Sequence, residues 1–385
     1  MDVFSRNKVL FLAFILIALI GTVAFLYAPS GEAPEMLQNE EEEVEKGTTP
    51  SAIEEGEEEI PSQSETEEEP GESRLASLTA IPWSSLGPVD AVLKDVGEAY
   101  MVRFGLTQKD FTDIKSAGFD VIEGNFDICA KDNDVRFFLD GAQAVGLEVI
   151  LNAGAGEAEW GYPCEGEPSK DMTPTWQKAA VGAWVEKWKN HPALYAWDTS
   201  NEDGGTFPFG TGGTDPDPAW ETKYAISVPQ LQQAYKDVKS WDPAHPVMIR
   251  MNGWYFYDYP ENFFRPGNAF GKDVADIVMI NAYANVDEYF DDFVSTVLIR
   301  ADRAIGAIDY GVQIIPALGV WEEPPIWVTP TIPQLINDYN QAAKAENLVG
   351  IAFFKYGAKG SKWYLPDSSL GAPELWMKLR EIIGS

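Results

Sequence analysis

His191-Pro192-Ala193-Leu194-Tyr195-Ala196-Trp197-Asp198-Thr199-Ser200-Asn201-Glu202-Asp203-Gly204-Gly205 is the stretch on which the reading of the fold turns. Leu194 to Trp197 are apolar or aromatic, long enough for one buried strand. The run ends abruptly in Asp198, Asn201 and Glu202, and Gly204-Gly205 releases the chain into a loop. Where helices wrap parallel strands, function collects at the C-terminal strand ends. A carboxylate and an amide at such an end are first candidates for chemistry.

Working outward, the same strand-then-helix unit recurs on both sides. Apolar runs at 100–106, 119–125, 147–151, 247–251, 277–280, 312–318 and 348–354 read as the other strands. Helical periodicity covers 109–117, 133–145, 176–189, 230–241, 287–308, 332–346 and 373–383, with an aromatic, irregular region at 255–275. In the second of these helices Val135, Phe138, Leu139 and Ala142 share one face, and Gly146 closes it. Eight such units in about 290 residues predict an α/β fold, a (β/α)8 TIM barrel. An open doubly wound sheet is the alternative. It usually carries a Gly-rich phosphate loop after its first strand, and Phe104-Gly105-Leu106-Thr107 supplies none.

The barrel has a long preface. Residues 9–27 are uncharged and apolar, and 19 residues suffice to cross the ~30 Å hydrocarbon layer as a helix. Arg6 and Lys8 precede the run and glutamates follow it, which orients the N-terminus to the cytoplasm and the rest outside. A cleaved signal peptide is the rival reading, which would make the chain secreted. Ala24-Phe25-Leu26-Tyr27-Ala28-Pro29 is a poor small-residue cleavage site, so the uncleaved anchor is favoured. Residues 30–73 hold 17 Glu and one Lys with few apolar residues, and such a segment cannot offset its ordering entropy. The expected organisation is therefore a transmembrane anchor at 1–29, a disordered Glu-rich linker at 30–74 and the barrel at 75–385, the barrel lying outside the cytoplasm as a monomer.

Of the net charge of −33, the linker stretch carries −16 and the 312 residues after it −18. This argues against nucleic acid as a partner, which needs a basic surface. Two Cys and two His are too few for a Cys/His metal cluster, and no cofactor fingerprint appears. Cys129 and Cys164 pair if the domain is extracytoplasmic, or stand as two separate thiols.

On a barrel the residues just past each strand converge on one mouth. They include Glu123, Asn125 and Asp127, then Asn152, then Asp198, Asn201 and Glu202, then Arg250, Asn252 and Trp254. Asn281 and Tyr283 follow the sixth strand, Trp321, Glu322 and Glu323 the seventh, and Lys355 and Tyr356 the eighth. Carboxylates, amides and aromatic rings together suit a carbohydrate substrate, since rings stack on pyranose C–H faces and amides pair with hydroxyls. Cleaving a glycosidic bond needs two carboxyl groups, one to protonate the leaving oxygen and one to attack the anomeric carbon or activate water. Glu202 is the acid/base candidate and Glu322 the nucleophile candidate; their strands lie three apart in an eight-membered ring and can face each other. Trp197, Asp198, Asn201, Asn252, Trp254, Asn281, Tyr283 and Trp321 are the expected sugar-binding residues.

The stretch His191 to Glu202 resembles the fourth-strand motif of glycoside hydrolase clan A, which reads His-Pro, apolar residues, Trp-Glu, two variable residues, then Asn-Glu. The resemblance implies that Glu202 is the acid/base of a retaining enzyme and that Asn201 binds the sugar 2-hydroxyl. Asp198 stands where Glu is commoner. Asn281-Ala282-Tyr283 resembles the clan's sixth-strand site, where a Tyr lies near the nucleophile. On strand seven the clan sets its nucleophilic Glu at the tip, whereas Leu318-Gly319-Val320-Trp321 delays the first Glu to 322. Either Glu322 reaches inward from an extended strand, or the nucleophile is displaced or missing. Two other functions stay open. One is a non-catalytic carbohydrate-binding or structural surface barrel. The other is a chitinase-like, substrate-assisted hydrolase using Asp198, Glu202 and Tyr283, although the four-residue offset of Asp198 and Glu202 departs from the Asp-x-Asp-x-Glu spacing.

Overall fold

A computed structural model describes residues 75, 78–96, 106–155, 158–161, 163–164, 175–200, 228–258, 272–286, 289–307, 311–322, 327–354 and 373–385. All of these belong to the second of the chain's two units, Leu75–Ser385. Eight parallel strands close into a barrel in chain order. They are β1 (Asp90–Leu93), β2 (Val121–Gly124), β3 (Glu148–Asn152), β4 (Leu194–Asp198), β5 (Val247–Asn252), β6 (Ile277–Asn281), β7 (Gln313–Gly319) and β8 (Gly350–Phe354). The helices are α1 (Gln108–Ser116), α2 (Asp132–Val145), α3 (Lys178–Trp188), α4 (Val228–Trp241), α5 (Gly253–Asp258), α6 (Phe293–Ala307), α7 (Ile332–Ala342) and α8 (Pro373–Ile383).

Strands two to eight fall where the apolar runs place them, within a few residues at each end. The first does not. The expected strand at 100–106 lies outside the described residues except for Leu106, which is not in a strand. Its place is taken by Asp90–Leu93, which pairs with β2 through Val92↔Val121 and with β8 through Asp90↔Gly350 to Leu93↔Phe353. The run is short and is flanked by Asp90 and by Lys94-Asp95, so it carries little hydrophobic signal; Ala91, Val92 and Leu93 are nonetheless fully buried. The helix expected over 287–308 begins only at Phe293, because Val286 forms an antiparallel bridge with Trp327 instead.

Local chemistry explains the boundaries. Gly146 ends α2 in the left-handed region at φ 76°, where a side chain would be strained. Thr331 and Gln334 start α7 with a reciprocal pair, Thr331 N–H donating to Gln334 Oε1 at 2.8 Å and Gln334 N–H to Thr331 Oγ1 at 3.4 Å. Pro316 has no N–H to give the ladder. The β7–β8 pairing is irregular there, passing from the Ile314↔Leu348 bridge to Ala317↔Ala352, one residue out of step.

Among the described residues no helix is long and apolar enough to cross a membrane; the run at 9–27 and the segment at 30–74 lie outside those residues. Cys129, after β2, and Cys164, after β3, form a disulfide with Cα atoms 5.4 Å apart. The bridge ties together the loops after two neighbouring strands at the C-terminal end of the barrel. Closing a loop of 35 residues is worth about 4 kcal/mol in the chain-entropy account. Reduction is therefore expected to lower the urea midpoint of the purified chain by a corresponding amount. Identical midpoints with and without reductant would mean that the bridge carries no stability.

Candidate active site

The strand tips deliver a set of buried charges to the C-terminal end of the barrel. Arg250 of β5 holds two carboxylates: its Nε lies 2.5 Å from Asp198 Oδ2 of β4, and its Nη1 lies 3.3 Å from Glu123 Oε1 of β2. Asp198 and Glu123 are fully buried and Arg250 is 3% exposed. Removing one partner of such a set would leave an uncompensated buried charge, which typically costs about 3–5 kcal/mol. Burial pushes the Asp198 carboxyl upward; Arg250 opposes the rise and Glu123 adds to it. Asp198 also steers the chain that follows. Its Oδ1 accepts the Ser200 N–H at 3.3 Å, while Arg250 N–H donates to Ser200 O at 2.8 Å and Thr199 N–H to Met248 O at 2.9 Å. The residues leading into Asn201-Glu202 are thus fixed from two sides.

A second set centres on Lys94, just past β1. Its Nζ donates to Asn281 Oδ1 at 2.7 Å and to Tyr283 Oη at 2.8 Å, and it sits 5.0 Å from the centre of the Phe354 ring. Tyr283 belongs to an aromatic cluster with Trp321 (ring centres 4.7 Å apart), Trp327 (5.8 Å) and Phe354 (5.2 Å). Trp327 and Phe354 are partly exposed, whereas Tyr283 and Trp321 are nearly covered.

The tip of β7 has no space for a side chain. A Cβ on Gly319 would lie 1.8 Å from Asn285 Oδ1. Asn285 is itself locked in place, its Nδ2 donating to Trp321 O at 2.8 Å and its carbonyl accepting the Val328 N–H at 2.8 Å. The nearest described carboxylate along the chain is Glu322, half-buried, whose Oε2 accepts from Thr329 Oγ1 at 2.9 Å.

Several residues read from the sequence as sugar-binding are buried. Trp197 is fully buried in the core with its indole N–H on Asp242 Oδ2 at 2.8 Å. Asp198 is fully buried beside Arg250. Trp321 stands inside the aromatic cluster, behind Trp327 and Phe354. Asn281 and Tyr283 come together at the Lys94 ammonium, and Asn252 is partly exposed at the tip of β5. Asn201 and Glu202 lie outside the described residues, as do Glu323, Lys355, Tyr356 and the side chain of Trp254. Lys94 was hidden by the misplaced first strand; the apolar triplet Ala91-Val92-Leu93 ending in Lys94-Asp95 is the signal that points to it. Among the described residues no group of His, Cys, Asp and Glu is placed to hold a metal ion.

Glu159 is a further buried acid that the sequence reading did not single out. It sits on the turn Ala158–Trp160 after β3, fully buried, with Oε1 accepting the Ile128 N–H at 3.1 Å. Burial, with the charge of Asp127 adding to it, pushes its carboxyl up to about 8.

No protein-family model and no curated protein sequence matches the chain. Solved structures match it through the fold. An endo-1,4-β-D-mannanase from Thermotoga petrophila aligns with TM-score 0.50 at 12% identity, covering 77% of this chain and 99% of that one. A β-galactosidase from Marinomonas ef1 aligns with TM-score 0.51 at 10% identity, covering 77% and 59%. A Bacteroides uniformis β-glucuronidase aligns at 13% identity with TM-score 0.42, and the chain spans only 30% of its length. The likeness to the mannanase and the β-galactosidase is one of fold: an eight-stranded parallel α/β barrel.

A raised carboxyl has a defined signature in stability. The folded state keeps the Glu159 proton up to about pH 8, while an unfolded glutamate releases it near 4.5. Stability falls as pH rises through that window and levels off above it, by on the order of 4 kcal/mol for an acid buried this fully. Asp338, buried in α7 and accepting the Tyr289 hydroxyl at 2.7 Å, is also pushed up to about 8 by burial and adds a parallel fall. Glu159→Gln keeps an acceptor for Ile128 and cannot ionise. In urea titrations at pH 5 to 8 it is expected to flatten the fall, and a slope equal to that of the parent chain would contradict the assignment.

Proposed function

We propose that the chain is a membrane-tethered glycoside hydrolase whose barrel lies outside the cytoplasm and cleaves O-glycosidic bonds of an oligo- or polysaccharide. The observation that carries this reading is the exit of β4. Asp198 and Arg250 fix the backbone through Ser200 at the C-terminal end of the barrel, and Asn201-Glu202, the pair matching the clan's acid/base motif, follows directly. Two buried amides at strand tips, Asn152 of β3 and Asn281 of β6, support a polar ligand there. Among the described residues Asn152 Oδ1 and Asn281 Nδ2 have no hydrogen-bond partner, and buried polar groups rarely go unpaired unless a ligand or water completes them.

In this reading Glu202 protonates the departing glycosidic oxygen while Glu322 attacks the anomeric carbon. Glu202, now a carboxylate, then takes a proton from the water that releases the sugar, with overall retention. Asn281, Tyr283 and Asn252 bind sugar hydroxyls, and the partly exposed Trp327 and Phe354 offer aromatic faces. The extracytoplasmic placement draws on the apolar run at 9–27, the acidic segment after it, and the Cys129–Cys164 bridge, since disulfides persist in oxidising compartments.

The blocked tip of β7 favours a second reading, a carbohydrate-binding barrel without hydrolysis. The two readings separate on release of nitrophenol or reducing ends from aryl glycosides and polysaccharides. Hydrolysis is expected for the parent chain and is expected to fall ~10²–10⁴-fold in Glu202→Gln. Glu322→Ala is expected to be inactive and to regain turnover with azide as an external nucleophile. Glycan binding with no turnover in the parent chain would favour the non-catalytic barrel.

A further inference from the structure

The exit of β4 is touched from its other side by the loop that follows β3. Ala153 N–H donates to Asp198 O at 2.7 Å, and the next residue, Gly154, is buried against Thr199. A Cβ on Gly154 would lie 2.7 Å from Thr199 O and 3.0 Å from Thr199 Cα. That is well inside the ~3.5–4.0 Å of an ordinary contact. Both atoms are backbone, so no side chain can swing aside to make room. Thr199 is tied down on the β5 side, where its N–H and its hydroxyl both donate to Met248 O, at 2.9 and 3.2 Å. Gly154 is held in turn. Its carbonyl accepts the Trp160 indole N–H at 2.6 Å, and the Trp160 ring packs on Trp176 with centres 4.9 Å apart. Trp176 donates to Asp237 Oδ2 of α4 at 3.1 Å, which anchors the loop to the helical layer.

We propose that Gly154 is a positioning residue for Glu202: lacking a side chain, it lets the loop after β3 press on Thr199 and so sets where the acid/base carboxyl, three residues along the chain, stands. The inference rests on the hydrolase reading and goes beyond it, to a residue that acts through the backbone. Proton transfer to a leaving oxygen needs its donor within hydrogen-bond reach, ~2.6–3.2 Å. A misplacement of ~1 Å that arises away from the reacting atoms can cost about 10²-fold in rate. A methyl group on Gly154 has to be accommodated by a shift of Thr199 or of the loop. Arg250 and Met248 hold the β4 exit from the β5 side, and Gly154 closes the β3 side.

The chemistry supplies a readout that general damage to the fold does not move. A proton donor is needed when the departing group is poor, such as phenol, and hardly at all when it is 2,4-dinitrophenolate, which leaves without a proton. The test measures kcat/KM, which reports the steps up to bond cleavage, for the full chain, Glu202→Gln and Gly154→Ala. The substrates are phenyl and 2,4-dinitrophenyl glycosides of gluco-, galacto-, manno- and xylo-configured mono- and disaccharides. Glu202→Gln is expected to lose far more on the phenyl than on the dinitrophenyl substrate. Gly154→Ala is expected to follow it, with a loss of about 10²-fold on the phenyl substrate and only a few-fold on the other. Should the alanine variant fail to fold, Trp160→Phe keeps a ring on Trp176, removes the N–H from Gly154 O and is expected to show the same one-sided loss, several-fold in size. Equal losses on both substrates, or no loss, overturn the proposal; the hydrolase reading then stands if Glu202→Gln keeps its one-sided loss. No turnover of any aryl glycoside or polysaccharide by the parent chain overturns both.

Discussion

Arg250 is the group on which the mouth of this barrel depends. A guanidinium buried between two carboxylates is costly to desolvate, and the set survives because each charge is met by another within hydrogen-bonding range. Three strands are joined by it. Glu123 comes from β2, Asp198 from β4 and Arg250 from β5, so the ion set spans the C-terminal end of the barrel instead of running along one ladder. Its second effect is directional. Because Asp198 also takes the Ser200 amide and Arg250 gives its own amide to Ser200, the exit of β4 has one path. A strand tip held this way is the kind of support that precise acid/base chemistry requires.

A second set at the same end of the barrel is arranged by different physics. Lys94 makes no ladder contact through its side chain, yet it decides how Asn281 and Tyr283 are turned, and the aromatic cluster around Tyr283 shields it from water. Asn285 performs a comparable service for the loops after β6 and β7. Its amide fills the space beside Gly319 and fastens Trp321 and Val328. The space beside the tip of β7 is therefore filled from a neighbouring loop, and the proposed mechanism turns to Glu322, three residues further on.

Much of the architecture was legible because parallel barrel strands are apolar on both faces and announce themselves as short unbroken runs. That same property hid the facing of each residue. In a run buried on both sides there is no alternation to say which side chain points to the barrel axis, and a register shift between Val149 and Ile150 against β4 adds to the ambiguity. Trp197 and Asp198 are adjacent and both fully buried, one facing Asp242 and the other Arg250. The first strand was obscured for a simpler reason. Three apolar residues between charged neighbours are a weak signal beside the aromatic stretch at 100–106, so β1 and with it Lys94 went unread. The Cys129–Cys164 bridge and the buried proton of Glu159 depend on which loops meet, and spacing alone carries no such information.

The fold supplies a mouth, and the hydrolase account adds that two carboxyl groups oppose each other across it. The separation of the Glu202 and Glu322 carboxyls in a crystal structure of the barrel tests that most directly. The account requires about 5–5.5 Å, the distance at which one acid can protonate the leaving oxygen while the other attacks from the far face. A separation well beyond ~10 Å would contradict it, because neither retention nor inversion could then be carried by this pair.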